Sequence, residues 1–202
     1  CLASVSCCLA YAENIETPEK LAKAVEHIAT KHVSLDIQPA QYSIVGENLL
    51  HSISEVLDVP FESDLIEAWK QAYLQLADIL IGAEQQKYDQ LASQSGGWSG
   101  WRNFKIVSIQ DHAEGKFFNI RAADQQTIPT AQAGEYISVK VHVPEKGIDQ
   151  PQQFSFSSTQ DTAQYGFLVK SQAEHSEYDV ANILLSHYQV GDELAVSAPL
   201  KG

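Results

Sequence analysis

The chain has 202 residues, with 26 Asp and Glu against 13 Lys and Arg, a formal charge of −13. That surplus repels phosphate backbones and acidic lipid surfaces, which argues against nucleic acid and membrane surfaces as partners. With 44% apolar and 19% charged residues, the chain is not compositionally disordered and can bury a core as one large domain or two small ones.

The opening stretch, "CLASVSCCLAYA", is small and apolar but lacks the basic segment of a secretory leader. No apolar run reaches the ~18–20 residues that span a bilayer. Cys1, Cys7 and Cys8 are odd in number and crowded at one end. They make a poor disulfide framework, suit a reducing compartment such as the cytoplasm, and are expected to be buried as small apolar side chains. The chain has no methionine, even at position 1, and reads as a fragment that begins inside a helix.

"PEKLAKAVEHIATKHV" predicts a helix with Thr17 as N-cap and Pro18 at its first position. Leu21, Ala24, Val25, Ile28 and His32 follow on one face. Pro39 starts a second helix, with Tyr42, Val45 and Leu49 on one side. After "DVPFESD" a third helix carries Trp69, Ala72, Tyr73, Leu76, Leu80 and Glu84 at three- and four-residue steps. Glu84 falls three turns beyond Tyr73 and only about 20° around the axis from it. A carboxylate at the end of an apolar stripe needs a partner or an exit to solvent.

"SQSGGWSGW", residues 93 to 101, breaks the helical period and reads as a hinge, which divides the chain into a helical domain at 1–94 and a second domain at 95–202. Beyond it the period becomes two. "RNFKIVSIQ", "KFFNIRAAD", "EYISVKVHV", "QQFSFSS", "YGFLVKSQ" and "LAVSAP" read as strands separated by turn residues. Six such strands predict a closed or nearly closed antiparallel barrel, interrupted by a short helix from about Asp179 to Tyr188. No internal repeat or low-complexity tract is present.

Seven histidines are present. His27, His51, His112, His142, His175 and His187 sit among polar neighbours or singly on strands and are expected to be solvated. His32 alone would also be unremarked, since a lone histidine at a helix end is more often a capping or core residue than a ligand. No H-E-x-x-H or paired-cysteine spacing accompanies it, which argues against zinc. A single histidine does suit haem, where the porphyrin supplies four nitrogens and the protein one axial imidazole. The other ring N–H of such a ligand is normally fixed by an acceptor behind it. Glu84 is the candidate acceptor, with the Tyr42 hydroxyl to orient it.

"KHVSLDIQPAQYSIVGENLLHSISEVL", "AWKQAYLQLADILIGAEQQKY" and "GGWSGWRNF" together resemble the later part of a bacterial flavohaemoglobin's globin domain, running through its hinge. The resemblance continues through "AGEYISVKVHVPEKG" to "VGDELAVSAPLKG" and covers essentially the whole chain. It implies the end of the E helix, then the F, G and H helices of a partial globin-like all-α domain. An all-β, six-stranded antiparallel FAD-binding barrel of the ferredoxin-reductase type follows, and the NAD-binding domain would begin after Gly202. By the same resemblance His32 is the proximal ligand of haem b, Tyr42 and Glu84 form its charge relay, and Lys31 tunes the redox poise of haem and flavin.

Members of that family hold FAD on a strand reading Arg-x-Tyr-Ser. The matching positions here are Gln152, Gln153, Phe154 and Ser155, with Tyr136 at another flavin-contacting slot. Phe154 would keep the ring that packs on the isoalloxazine and lose a hydroxyl. Gln152 is the larger departure, because a neutral amide cannot replace a charged, bidentate fork on a pyrophosphate. Where the family places a serine at the start of the short helix, this chain has Ala181. The activity implied is nitric oxide dioxygenation, NO and O2 giving nitrate at haem, with electrons from NAD(P)H through FAD. The rival readings are a haem-based oxygen carrier or sensor with a degenerate flavin module, and a scaffold without cofactor.

Overall fold

A computed structural model of the chain describes Tyr11 and residues 21–157, 163–171 and 179–201. The expectations for Cys1, Cys7, Cys8, Thr17, Pro18 and His175 lie outside these residues. The chain divides into two compact units, one of residues up to His32 with Ile37–Lys87, the other of Val33–Asp36 with Tyr88–Gly202.

Three long helices organise the first stretch: α1 (Ala22–Ser34), α2 (Pro39–Leu57) and α3 (Asp64–Ser93). α2 begins where the sequence dictates. Gln38 is extended (φ −107°, ψ 152°), Pro39 fixes the first helical φ, and the Gln41 side chain accepts from the Gln38 N–H at 2.8 Å. It ends at Asp58, which enters the left-handed region (φ 52°) and donates its N–H back to the last turn. Asp64 and Glu67 place negative charge in the first turn of α3, where the helix dipole favours it. The buried apolar stripe of α3 is Leu76, Ala77 and Leu80, clustered with Tyr11 and Tyr42. Val45, expected on the inner side of α2, is half exposed. Among the described residues no helix is long and apolar enough to cross a membrane.

The second unit is built on β1 (Trp101–His112), β2 (Gly115–Ala122), β3 (Glu135–Val143), β4 (Ile148–Ser157), β5 (Tyr165–Lys170), β6 (Glu193–Ser197) and β7 (Leu200–Lys201). Every pairing is antiparallel, and the ring β1–β2–β5–β4–β3–β6 returns to β1. This is the six-stranded barrel the alternation predicts; the two-residue β7, which pairs with β3, is an addition to it. Among the described residues each of the six strands has a neighbour on both sides, although β4–β5 and β3–β6 are each joined by only two residue pairs. Period two sets the interior: Phe104 and Ile106 of β1, Phe118 and Ile120 of β2, and Ile137 and Val139 of β3 are all 0–1% exposed. Burying each such side chain contributes about 1.5–3 kcal/mol. The rings also stack, Phe118 on Phe167 and Phe104 on Tyr165, each pair 5.6 Å between centroids.

A short helix, α4 (Val180–His187), packs Val180, Ala181, Ile183 and Leu184 into the same core. Its N-cap is Asp179, whose carboxylate accepts from the Ala181 N–H at 2.8 Å. The stretch read as a hinge is tied down at its barrel end. Gly96 takes a left-handed φ of 72°, and a Cβ there would stand 2.7 Å from the Thr127 carbonyl oxygen. Trp98 Nε1 donates to the Val196 carbonyl at 3.2 Å. The Arg102 guanidinium lies 5.1 Å from the Trp98 ring centre and makes two bonds to Asp124, at 3.0 and 2.8 Å.

Candidate functional site

Three residues from three helices meet in the helical unit. His32 lies in the last turn of α1, Tyr42 in the first turns of α2, and Glu84 past the middle of α3. His32 Nδ1 is 2.7 Å from Glu84 Oε1, and the Tyr42 hydroxyl donates to that same oxygen at 2.5 Å. The Tyr42 oxygen is itself 3.0 Å from His32 Nδ1. Glu84 is only 2% exposed and Tyr42 9%, so these bonds work in a low-dielectric setting that strengthens them. The carboxylate that the sequence leaves stranded on an apolar stripe thus has two partners.

The Glu84 contact orients the imidazole. Towards a carboxylate, which only accepts, Nδ1 has to present its hydrogen, and in the neutral form of the ring that tautomer leaves the lone pair on Nε2. His32, Lys31, Ile28, Tyr42, Leu76 and Leu80 are among the residues lining a mainly apolar cavity of about 380 Å³. His27, expected in solvent, lies at the rim of this cavity and is exposed. An oriented imidazole with a bound acceptor behind it, facing an apolar cavity, is the donor arrangement a single axial ligand requires.

The flavin-strand candidates lie in the second unit, where β3 and β4 pair. Tyr136 faces Ser155 across the ladder, Ile137 faces Phe154, Ser138 faces Gln153 and Val139 faces Gln152. Gln153 Nε2 donates to Ser34 Oγ at 2.8 Å. The Tyr136 phenol is bonded to the same serine; burial pushes its pKa up, and that bond works against the rise. Ser34 belongs to the Val33–Asp36 segment of this unit and is fully buried. Sequence reasoning passed over it, and nothing in its local pattern marks it. Phe154 is 7% exposed and its ring lies 5.0 Å from that of Phe167, so most of its surface serves the barrel core. Gln152 is half-buried and Ser155 exposed. The Ser138 hydroxyl is buried with no hydrogen-bond partner among the described residues.

A helical unit holding a backed-up imidazole, joined in one chain to a closed antiparallel barrel, defines a haem-protein-like segment followed by a flavoprotein-type barrel. Residues 5–80 match the Globin family model. The flavohaemoprotein of Bordetella pertussis is 44% identical over 192 residues, covering 94% of this chain and 48% of that protein. That of Rhizobium meliloti is 40% identical over 193 residues, covering 94% and 48%. Among solved structures, the flavohaemoglobin from Malassezia yamatoensis with bound FAD and haem superposes with a TM-score of 0.76 at 26% identity, over 90% of this chain and 45% of that one. The chain is similar to flavohaemoproteins over nearly all of its own length, and it spans about half the length of the curated relatives it matches.

Proposed function

We propose that the protein acts, as part of a longer flavohaemoglobin, as a nitric oxide dioxygenase that removes NO in the cytoplasm. The single observation that carries this reading is the bond between His32 Nδ1 and the buried Glu84, 2.7 Å long and shared with Tyr42. His32 Nε2 would ligate haem b iron, Glu84 would draw on the Nδ1 proton, and Tyr42 would hold Glu84 in line. An imidazole polarised in this way would be a stronger donor to the iron it holds. Haem, when bound, supplies the iron at which O2 and NO combine to nitrate. Lys31 beside the ligand would add positive charge near the redox centres. The domains would divide at residues 94 and 95.

FAD is the second proposed cofactor, held by Tyr136 and residues 152–155 and reduced by NAD(P)H bound elsewhere in the longer protein. The fit is partial. Tyr136 and Ser155 face one another on adjacent strands, but Gln152 brings no charge to a pyrophosphate, and Phe154 is mostly buried. Gln152→Arg in the full-length protein is expected to tighten FAD roughly tenfold or more, the worth of a charge-assisted bond. A flavin titration returning an unchanged or weaker Kd would remove Gln152 from the phosphate slot. These departures also favour a second reading, an oxygen carrier or sensor whose flavin module has decayed.

One experiment separates the two. NO consumption by the full-length protein should depend on NADH or NADPH and yield nitrate in proportion to NO lost. Reversible O2 binding without nicotinamide-dependent NO loss would favour the carrier.

A further inference from the structure

We infer that Ser34 is a positioning residue for Tyr136 in the second unit, with Gln153 bracing the serine hydroxyl that holds the phenol. Ser34 ends α1 and belongs to the Val33–Asp36 segment of that unit. Gln153 Nε2 donates to Ser34 Oγ at 2.8 Å, and the Tyr136 phenol is bonded to the same hydroxyl. The strand register explains why a third residue is needed. Tyr136 lies opposite Ser155 and Ser138 opposite Gln153, so alternation puts all four side chains on one face of the β3–β4 pair. Tyr136 and Gln153 are diagonal neighbours on that face, about 7–8 Å apart. Ser34 Oγ closes the gap between their polar ends.

The serine is fixed by what flanks it in the chain. Val33 is 3% exposed and packs with Leu91, Ala198 and Leu200, a cluster that Tyr136 also touches. Asp36 takes a left-handed φ of 58° and donates its N–H back to the Val33 carbonyl at 3.1 Å. Gly100 has no side chain to crowd the Asp36 carboxylate; a Cβ there would stand 3.2 Å from Oδ1. Ser34 itself is fully buried, so water competes little for its bonds.

The consequence is for what Tyr136 can offer a flavin. Its hydroxyl is tied to Ser34, which leaves the ring as the part presented to the ligand. A ring ordered in advance spares the binding step the cost of immobilising it. The bond also acts on the phenol's acidity. A phenolate accepts, so Ser34 donates to it, and losing that donor leaves burial alone to push the pKa up. The inference rests on the flavin reading above.

The test uses the full-length protein. Ser34→Ala removes the hydroxyl and adds no bulk. FAD titrated into flavin-free protein should bind roughly two- to tenfold more weakly, the worth of one neutral hydrogen bond. Emission of the bound flavin should rise as the ring packs on it less closely. In a Tyr136→Phe background the same substitution should be silent on both signals. Ser138→Ala, on the same face and as deeply buried but with no side-chain partner among the described residues, should leave both unchanged. A further measurement needs no flavin. The Tyr136 phenol, read as the difference from a matched Tyr136→Phe protein, should ionise at higher pH in Ser34→Ala. An unmoved phenol titration, or a loss of FAD affinity that is equal with and without the Tyr136 hydroxyl, would overturn the inference. Tyr136→Ala separates the two failures. If it weakens FAD and Ser34→Ala does not, only the role of Ser34 falls. If it leaves FAD at wild-type affinity, the flavin reading fails at that residue and the inference falls with it.

Discussion

Glu84→Gln is expected to raise the haem midpoint potential of the full-length protein by about 60–120 mV. That range corresponds to the 10–100-fold typical of a lost partner behind a metal ligand, at ~59 mV per tenfold for one electron. The substitution is nearly isosteric. Its amide oxygen can still accept from Tyr42 or His32, but the negative charge that polarises the Nδ1–H bond is gone. The imidazole becomes a weaker donor, ferric iron loses stabilisation, and the iron–imidazole stretch should move to lower frequency. The effect is large because Glu84 is 2% exposed, so little water screens its charge. Raman spectroscopy of the ferrous form and a spectroelectrochemical titration would measure it. Should both quantities stay at their wild-type values, the contact at 2.7 Å is packing and the relay has no electronic role.

His32→Gly is expected to abolish haem retention, and free imidazole should restore it. Removing the ring deletes the Nε2 donor and at the same time leaves Glu84 with the Tyr42 bond alone. An under-satisfied buried carboxylate costs about 1–3 kcal/mol or more, so the melting temperature should fall with the haem content. Imidazole diffusing into the vacated space can supply both functions, a lone pair to iron and an N–H to Glu84. Rescue of haem binding and of stability together would tie the two roles to one ring. A variant that binds haem as well as wild type without imidazole would place the ligand elsewhere.

Much of this was legible in the chain. The alternation in "EYISVKVHV" puts Ile137, Val139 and Val141 on one face, and those residues are 0–1% exposed in the barrel. Pro39 marks the start of α2. Glu84 was conspicuous because an acid on an apolar stripe requires an explanation. Phe154 was the opposite case. Only the family resemblance implies a ring offered to a ligand there, and the packing against Phe167 shows how little surface it has left. The buried Ser34, bonded to Gln153, lies 119 positions away in sequence, and a lone serine at a helix end carries no signal of such a partner.

The sequence by itself determined the elements and their faces, because periods of 3.6 and two residues are properties of the local backbone and need no knowledge of what lies opposite. It also offered Tyr42 and Glu84, each on an inward helix face, as candidate partners of His32, a grouping the family resemblance implies. The tertiary structure alone decided that Tyr42 and His32 compete for one oxygen of Glu84, that the Tyr73 hydroxyl donates to the Tyr42 carbonyl, and that Gly46 leaves room for the Tyr73 ring. The hydrogen bonds among them join residues 31 to 52 positions apart. They depend on helix crossings fixed to tenths of an ångström by side-chain packing, a quantity no local pattern encodes.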